Sequence, residues 1–190
     1  MKVSKAQAVE NRATILEVAS KRMRGQGFEA MTVGGVAKAA GLTHGALYSH
    51  FPSKEALSSE ALAEGFRQCL SDYSKQPLEG LLRQYLSIQH RDFPENGCPM
   101  AALVSQVPHQ DGTIQGNYAT GVDGFVGLVK NELKAAGKSN AESRELSLFV
   151  TAAMVGALAI SRALKDAKPS GSEAVLGAVR RQLERLLNTP

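Results

Sequence analysis

The stretch from Thr32 to Leu57 (TVGGVAKAAGLTHGALYSHFPSKEAL) constrains the fold of this chain more than any other part of the sequence. Apolar residues recur at helical spacing over residues 33–40, and Thr32 can cap the N-terminus of that helix. Gly41 can supply the left-handed backbone conformation that a sharp turn between two helices requires. The pattern therefore predicts a helix-turn-helix.

The second helix of this pair is rich in hydrogen-bonding groups. Thr43 can cap it, and His44, Tyr48 and His50 follow within two turns. A core helix would be more apolar, whereas a helix-turn-helix places such a second helix in the major groove of DNA. DNA binding is therefore our first hypothesis for the chain.

Positive charge is concentrated in the same third of the chain. Residues 1–54 contain eight Lys or Arg and three Asp or Glu, a formal charge of +5, whereas the whole chain carries +4. Localised positive charge of this kind drives binding to nucleic-acid phosphates. A solvated basic face would explain the charge of one helix alone, but charge and helix-turn-helix pattern together favour DNA.

The same stretch resembles the DNA-binding signature of the TetR/AcrR family of transcriptional regulators, and the resemblance covers the N-terminal third of the chain. The matching positions are Thr32, Val33, Val36, Ala37, Ala40, Gly41, Leu42, Thr43, Gly45, Leu47, Tyr48, His50, Phe51, Ser53, Lys54 and Leu57. Two features depart from the family pattern. Gly34 and Gly35 each cost a helix about 1 kcal/mol relative to Ala, and His44 stands where the family often has Lys or Arg.

The fold predicted for the whole chain is all-α. Helical periodicity predicts about nine helices, near residues 6–24, 33–40, 43–50, 54–74, 77–91, 99–107, 113–136, 141–164 and 172–187. The resemblance implies a three-helix DNA-binding domain over residues 1–54 and a helical effector-binding and dimerisation domain over residues 55–190.

The last two helices indicate a protein interface. Small residues lie on the first of them (Ala152, Ala153, Gly156, Ala157 and Ala159), and an apolar stripe lies on the second (Val175, Val179, Leu183, Leu186 and Leu187). An ordinary intramolecular core would show the same pattern. The resemblance implies a homodimer built on these helices, which would read a near-palindromic operator with half-sites about 34–36 Å apart.

Seven residues are predicted to contact double-stranded DNA: Thr32, Thr43, His44, Gly45, Tyr48, His50 and Lys54. Gly45 would let the helix backbone approach the groove closely, and Lys54 would contact a phosphate. The resemblance assigns the Tyr48 hydroxyl to a phosphate, with a purely structural tyrosine as the alternative. Leu47 and Phe51 are predicted to lie in the core.

The resemblance also implies release of DNA by a small molecule bound in the C-terminal domain. The predicted effector-binding residues are Phe66, Tyr85, His90, Phe93, Cys98, Met100, Tyr118, Phe125 and Met154. Core packing explains any one of them equally well. Cys98 precedes Pro99 at a predicted helix N-terminus, which favours the thiolate. The resemblance implies that a cysteine at this junction can sense electrophiles or oxidants, and the alternative is a buried residue that packs at the turn or lines the pocket. Cys69, in the middle of a predicted helix, is predicted to lie in the core.

Other classes of protein fit the sequence less well. The two cysteines lack framework spacing, which is typical of the cytoplasm, and the N-terminal residues show no signal peptide. The charge-free segment 146–160 is shorter than the roughly 20 residues of a membrane span, which favours a buried helix. His90, Cys98 and His109 lack metal-ligand spacing, and no nucleophile signature surrounds Cys98.

The sequence therefore predicts a cytoplasmic DNA-binding regulator with no catalytic residues, metal or cofactor. A repressor released by a small molecule is the preferred hypothesis. A regulator that takes no ligand, or one that activates, is the alternative, and a cysteine-dependent enzyme is the remote one.

Overall fold

The computed structural model describes residues 4–187, and over that range the chain is all-α, as predicted. Ten α-helices and two short 3-10 helices form the regular structure of the described part. The α-helices are α1 (Lys5–Gln26), α2 (Val33–Ala39), α3 (His44–Tyr48), α4 (Lys54–Tyr73), α5 (Leu78–Tyr85), α6 (Ile88–Asp92), α7 (Pro99–Leu103), α8 (Gly112–Ala135), α9 (Asn140–Leu164) and α10 (Pro169–Leu187). The 3-10 helices are Pro94–Asn96 and Val107–His109.

These helices form two compact units. The first comprises the chain up to Gln68 together with Glu95–Ala119, and the second comprises Cys69–Pro94 together with the chain from Thr120 onward. The functional boundary between residues 54 and 55 stays a prediction, and the outermost ends of the two predicted domains lie outside the described residues.

The first unit is built around an apolar core contributed by α1 to α4. The fully buried side chains include Ile15, Met31, Val36, Leu47 and Phe51. Gly27 follows α1 with a φ of 83°, in the region of backbone conformation that favours glycine. Leu47 and Phe51 therefore lie in the core, as predicted.

The second unit is dominated by the long helices α9 and α10, which pack against each other. Ser139 and Glu142 form a capping box at the start of α9, where each side chain accepts a hydrogen bond from the other residue's backbone N–H. Three aromatic rings cluster in the same unit: the ring centroids of Tyr73, Tyr85 and Phe125 lie 5.6–5.9 Å apart. These rings form the aromatic core of the second unit.

The prediction of one helix over residues 77–91 is wrong. The chain leaves the helical region at Leu86, with φ −92° and ψ 48°, and Ser87 then caps α6 by accepting a hydrogen bond from the N–H of His90 at 3.0 Å. Serine competes with the backbone in this way, which is why it favours helix starts over helix interiors. The break accounts for the tenth helix.

The helix predicted over residues 99–107 is also shorter than expected. It ends at Leu103, and a 3-10 turn at Val107–His109 follows. Pro108 has no backbone N–H, so a continued α-helix would lose a hydrogen bond at that position. Helix α10 in turn begins at Pro169, earlier than predicted, with proline in the first helical position that suits it.

Helix α9 is long and apolar enough to cross a membrane by length and composition alone. A single helix of this kind is weak evidence, because core helices of soluble proteins pass the same test. Val150, Met154 and Leu158 of α9 are fully buried in the second unit. Less than half of its apolar stretch is buried in the protomer, however, so α9 is not the helix buried on most sides that the sequence predicts.

Candidate nucleic-acid interface and effector region

The turn between α2 and α3 has the predicted geometry. Thr32 caps α2 by accepting from the Gly35 N–H at 3.2 Å, and Thr43 caps α3 by accepting from the Ala46 N–H at 3.2 Å. Gly41 adopts a φ of 70°, and the N–H of Leu42 bonds back to the Ala37 carbonyl at 2.9 Å. This pattern closes the C-terminus of α2 and turns the chain into α3.

One face of α3 is buried and the other is open. Leu47 is 1% exposed, whereas Tyr48 is 47% exposed. The rings of His44 and Tyr48 meet edge to face with centroids 5.2 Å apart. Tyr48 is therefore not buried in the core of the protomer.

Gly45 lies in the first turn of α3 with open space around it. A Cβ built on Gly45 would meet no atom within 4 Å. No contact inside the protomer therefore requires glycine at this position. The fold of the protomer therefore does not explain the glycine, whereas close approach of another molecule to the α3 backbone would.

Gly35 has a packing reason that the sequence did not reveal. A Cβ there would lie 2.7 Å from Thr32 Oγ1 and 3.3 Å from Arg22 Nη2. The Arg22 guanidinium thus lies against the first turn of α2, and it also donates to the Ala30 carbonyl at 3.4 Å. The glycine that weakens the helix therefore leaves room for this arginine beside the turn.

The remaining predicted DNA-contacting residues lie at the start of α4 and just before it. Lys54 is the first residue of α4 and is exposed, and Ser53 caps the helix by accepting from the Ala56 N–H at 3.1 Å. His50 is half-buried in the turn that leads to α4. Thr32, Thr43 and His44 are exposed. Of the basic residues counted in the sequence, Lys2 lies outside the described residues.

Phe51 packs in the core beneath the residues predicted to contact DNA and links α1 to the turn that follows α3. Its ring is fully buried, and the Arg12 guanidinium lies 4.8 Å from the ring centroid. Arg12 also pairs with Glu60 of α4. The cation–π contact and the ion pair hold α1 and α4 around the short α3, which is too short to be stable alone.

Two family models match the chain. The model of the bacterial regulatory proteins of the tetR family matches residues 15–61, and the C-terminal domain of the LmrA/YxaF-like transcriptional regulators matches residues 79–169. The chain belongs to the TetR family. TetR regulators bind DNA through a helix-turn-helix and dimerise, so this chain is a DNA-binding transcriptional regulator of that family.

Individual relatives agree with the family models. The chain is 25% identical over 170 residues to the HTH-type transcriptional regulator LmrA of Bacillus subtilis strain 168, a match that covers 84% of this chain and 90% of LmrA. It is 46% identical over 57 residues to the HTH-type transcriptional regulator AcrR of Shigella flexneri, a match that spans 30% of this chain but only 26% of AcrR. The solved structure of E. coli NemR in its reduced form superposes with a TM-score of 0.75 at 18% identity over 95% of this chain and 98% of NemR, which shows a shared fold.

The predicted effector-binding residues divide between the two units. Those in the first unit are Phe66, Cys98, Met100 and Tyr118, and those in the second are Tyr85, His90, Phe93, Phe125 and Met154. Each unit therefore contains one group of these residues.

In the first unit the four residues form a connected cluster. The rings of Phe66 and Tyr118 meet edge to face at 5.7 Å, and the Tyr118 hydroxyl donates to the Met100 carbonyl at 3.2 Å. Burial, with a smaller contribution from the nearby Cys98, raises the pKa of Tyr118 to about 12. The phenol is therefore neutral and donates a hydrogen bond at physiological pH.

Cys98 occupies the N-cap position of α7, directly before Pro99 at the first helical position, as predicted. Its side chain is fully buried. Cys69 is buried as well, in agreement with its predicted core position, and both cysteines are free of disulfides.

In the second unit only some of the five residues come together. Tyr85 contacts the Phe125 ring at 5.6 Å and the His90 ring at 4.6 Å, and the His90 ring nitrogen Nδ1 lies 2.8 Å from the Tyr85 carbonyl oxygen. Met154 is fully buried, whereas Phe93 is 51% exposed.

Sequence reasoning missed two arginines beside this group, of which Arg91 is buried and Arg162 is half-buried. Arg162 donates to the His90 carbonyl at 2.7 Å, and Arg91 donates to the Ser172 hydroxyl at 3.0 Å. An arginine in a helical segment is normally predicted to lie on the surface. The sequence pattern therefore did not indicate these two hydrogen bonds.

The α9–α10 pair leaves an apolar face open in the protomer. Leu148, Phe149 and Ile160 are 55%, 57% and 52% exposed, and sequence reasoning missed all three. A groove beside Phe149 is lined by Ala153, Ala178, Val179, Gln182, Leu183, Arg185 and Leu186. Ala157 and Leu183, which the sequence assigned to the interface stripes, are instead 4% and 1% exposed within the protomer.

Within the described residues, no group of three or more His, Cys, Asp or Glu side chains is placed to hold a metal ion. The TetR family consists of transcriptional regulators, and LmrA and AcrR are of that kind.

Proposed function

We propose that the chain is a homodimeric transcriptional repressor that binds a near-palindromic operator and is released from it by a small-molecule effector. The observation that carries the proposal is the open face of α3, where Thr43, His44, Gly45 and Tyr48 are all exposed above a buried Leu47. A recognition helix reads base edges mainly with its N-terminal residues.

The individual contacts follow from their positions. Thr43 and His44 begin α3 and would meet base edges or the adjacent phosphates, and Gly45 would admit the helix to the groove. The residues that would contact phosphates are Tyr48, His50, Lys54 and Thr32, the last while it caps α2. Phosphate contacts of this kind fix the orientation on DNA without reading sequence.

The dimer would form through α9 and α10. Phe149 and Ile160 lie beside small residues such as Gly156 and are about half exposed, and exposed apolar residues that share a face mark protein interaction sites. A second copy of the chain would cover this face in an isologous interface, and a two-fold dimer matches a palindromic site.

The effector would bind at one of the two groups of predicted residues. In the first group Tyr118 supplies a neutral phenol and Phe66 supplies aromatic surface, and in the second group Phe125 supplies aromatic surface. Cys98 is either a sensor of electrophiles or oxidants or a packing residue, and its complete burial means that a reagent must first open the site around α7. Release requires that the effector bind the released conformation more tightly than the operator-bound one.

The proposal also covers the cellular compartment and the absence of catalysis. Both cysteines are buried and form no disulfide, which fits a reducing cytoplasm. The protein would act by binding, without catalysis, metal or cofactor.

The proposal is tested by selecting an operator from genomic DNA and measuring binding by fluorescence anisotropy in reducing buffer. We expect saturable binding that is at least about 10³-fold tighter than binding to random DNA. Binding no tighter than to random DNA would contradict the proposal. Transcription in vitro from a promoter that carries the operator then separates a repressor from an activator.

The effector is sought with the same assay. Small aromatic and electrophilic compounds are screened for loss of anisotropy, and hits are retested on Cys98→Ser. A compound that releases the wild type but not Cys98→Ser would support thiol sensing, whereas equal release of both proteins would assign Cys98 to packing. If no compound changes binding in any screen, a ligand-independent regulator is the better description.

A further inference from the structure

Helix α1 carries an arginine whose guanidinium is poorly satisfied within the protomer. Arg22 is half-buried, and its Nη2 atom makes one long hydrogen bond, to the Ala30 carbonyl at 3.4 Å. Its Nε atom is buried and has no hydrogen-bond partner among the described residues. A guanidinium carries five N–H donors and no acceptor, so the protomer satisfies only a small part of this side chain.

Other arginines that are at least half-buried have carboxylate partners. Arg12 pairs with Glu60 of α4. Arg91 donates to both carboxylate oxygens of Asp92, at 2.8 and 3.0 Å. Within the part of the chain that the structure describes, Arg22 has no carboxylate partner. Because a guanidinium matches phosphate as well as carboxylate, Arg22 keeps its charge available for an anion from outside the protomer.

The guanidinium lies beside Thr32, which is predicted to contact a phosphate. A Cβ built on Gly35 would lie 3.3 Å from Arg22 Nη2 and 2.7 Å from Thr32 Oγ1. The two side-chain atoms are therefore at most 6.0 Å apart, the sum of those distances. Since a hydrogen bond spans about 2.9 Å, one phosphate group can contact both side chains. Thr32 is exposed and the other two residues are half-buried, so solvent reaches this place.

The fold accommodates Arg22 at the expense of stability. Gly35 leaves room for the guanidinium, but glycine weakens the interior of a helix. The buried Nε atom of Arg22 adds the penalty of a donor that has lost water without gaining a partner. Features that lower stability without a structural benefit are typical of functional sites.

We infer that Arg22 is a further DNA-contacting residue, which donates to a backbone phosphate that Thr32 also contacts. The inference deepens the proposed function and rests on it, because Thr32 must face the operator. A phosphate contact reads no sequence, so Arg22 adds affinity for all DNA and helps to fix the orientation of the protein. It also supplies a permanent positive charge beside α3, which itself contains no lysine or arginine.

The test compares Arg22→Met with the wild type by fluorescence anisotropy at several salt concentrations. We expect Arg22→Met to bind the selected operator and random DNA about tenfold more weakly at moderate salt. The slope of log K against log salt should fall by about 0.9 for each of the two copies in the dimer. The melting temperature should equal that of the wild type or exceed it, because the variant removes an unsatisfied buried donor. A purely structural role would lower the melting temperature and leave the slope unchanged.

A second measurement locates the phosphate. Operator duplexes in which one phosphate at a time is replaced by an uncharged methylphosphonate are titrated with both proteins. We expect one position in each half-site at which the replacement weakens wild-type binding by at least about threefold and that of Arg22→Met by about twofold or less. Thr32→Val should be less sensitive than the wild type at that same position, because the two side chains share the phosphate.

Two further variants keep the test decisive. Lys21→Met removes the same charge from the preceding residue of α1, which is paired with Glu17 at 2.8 Å, and it should keep the wild-type slope. Arg22→Gln retains an uncharged donor, and it takes the place of Arg22→Met in both measurements if that variant does not fold.

The possible outcomes separate this contact from the proposed function. A wild-type slope in Arg22→Met, or in Arg22→Gln where it is used, overturns the inference and leaves the proposed function standing. An equal loss of slope in Lys21→Met, or equal sensitivity to every methylphosphonate in the wild type and the Arg22 variant, also overturns it. A wild type that binds no specific DNA overturns the proposed function, and this contact with it.

Discussion

The open surface of α3 and the open surface of the α9–α10 pair differ in chemistry although both are exposed in the protomer. The α3 surface carries a threonine, a histidine, a glycine and a tyrosine, and basic residues flank it. The α9–α10 surface carries Leu148, Phe149 and Ile160 beside small residues. The first suits the polar and anionic surface of DNA, and the second suits another apolar protein surface.

Exposure alone does not identify the partner of a surface. Gly45 on α3 and Gly156 on α9 are both helical glycines at which an added Cβ would meet no atom within 4 Å. The fold therefore tolerates a larger residue at either position. A larger residue at Gly45 would block whatever binds the α3 surface, and one at Gly156 would block whatever binds the α9–α10 surface. Substitutions at these two glycines therefore test the two surfaces separately.

Substitution of Gly45 is expected to have the largest effect. Gly45→Gln should lower operator affinity by about 10³-fold, to the level of random DNA, because the side chain would occupy the groove. Thermal stability should be equal or higher, since Gln is a better helix former than Gly by roughly 0.5–1 kcal/mol. Anisotropy and a thermal melt measure the two quantities. Gly116→Gln, at an exposed glycine of α8, is the matched control and should bind normally.

A charge on the α9–α10 surface should have the next largest effect. Phe149→Glu is expected to convert the dimer to a monomer and to lower operator affinity by about 10²-fold, because the two half-sites are no longer read together. Light scattering after size exclusion reports the mass. Ile88→Glu places the same charge at a residue that is 49% exposed on α6 and should remain dimeric. A dimeric Phe149→Glu would show that the interface lies elsewhere.

A milder effect is expected at the start of α4. Lys54→Met should weaken binding to all DNA sequences about equally, by about tenfold at moderate salt, because it removes a phosphate contact. The slope of log K against log salt should fall by about 0.9 for each of the two copies in the dimer. Titrations at several salt concentrations measure the slope. Lys75→Met removes an equally basic residue whose side chain is 69% exposed, and it should leave the slope unchanged.

The smallest effect concerns the effector region. Tyr118 should ionise near pH 12, because its pKa is raised above the ordinary value of 10.0 by burial and by Cys98. A raised pKa contributes stability that is complete below pH 10 and is lost as pH rises toward 12. Ultraviolet titration of the wild type and of Tyr118→Phe should differ by one late-ionising phenol. A difference confined to the region near pH 10 would contradict the buried position.

The two surfaces also differ in how far the sequence predicts them. Thr32, Gly41 and Thr43 act on backbone within three or four residues of themselves, so local rules predicted the turn and both caps. The inward or outward direction of Ala157 and Phe149 depends on how α9 packs against α10, which no local rule contains. The stripe was therefore predicted on the correct helices, but with two buried members included and three exposed residues missed.

Long-range contacts explain the remaining differences. Gly35 was interpreted only as a cost to α2, because its contact with Arg22 joins residues on different helices. Arg24 counted as surface charge, although it bonds to Gly97 across 73 residues of sequence. The break at Leu86 and Ser87 was missed because the apolar periodicity runs up to Leu86 and no glycine or proline follows before Pro94. The DNA contacts and the effector contacts themselves stay predictions.

The most direct test of the account is the mass of the complex on a single operator duplex, measured by native mass spectrometry for the wild type, Gly45→Gln and Gly156→Gln. We predict two wild-type protomers per duplex, a free dimer with unbound duplex for Gly45→Gln, and a monomer for Gly156→Gln. A Gly45→Gln dimer bound to the operator as tightly as the wild type, or a Gly156→Gln protein that remains dimeric, would contradict the assignment of DNA to α3 and of a second copy to α9 and α10.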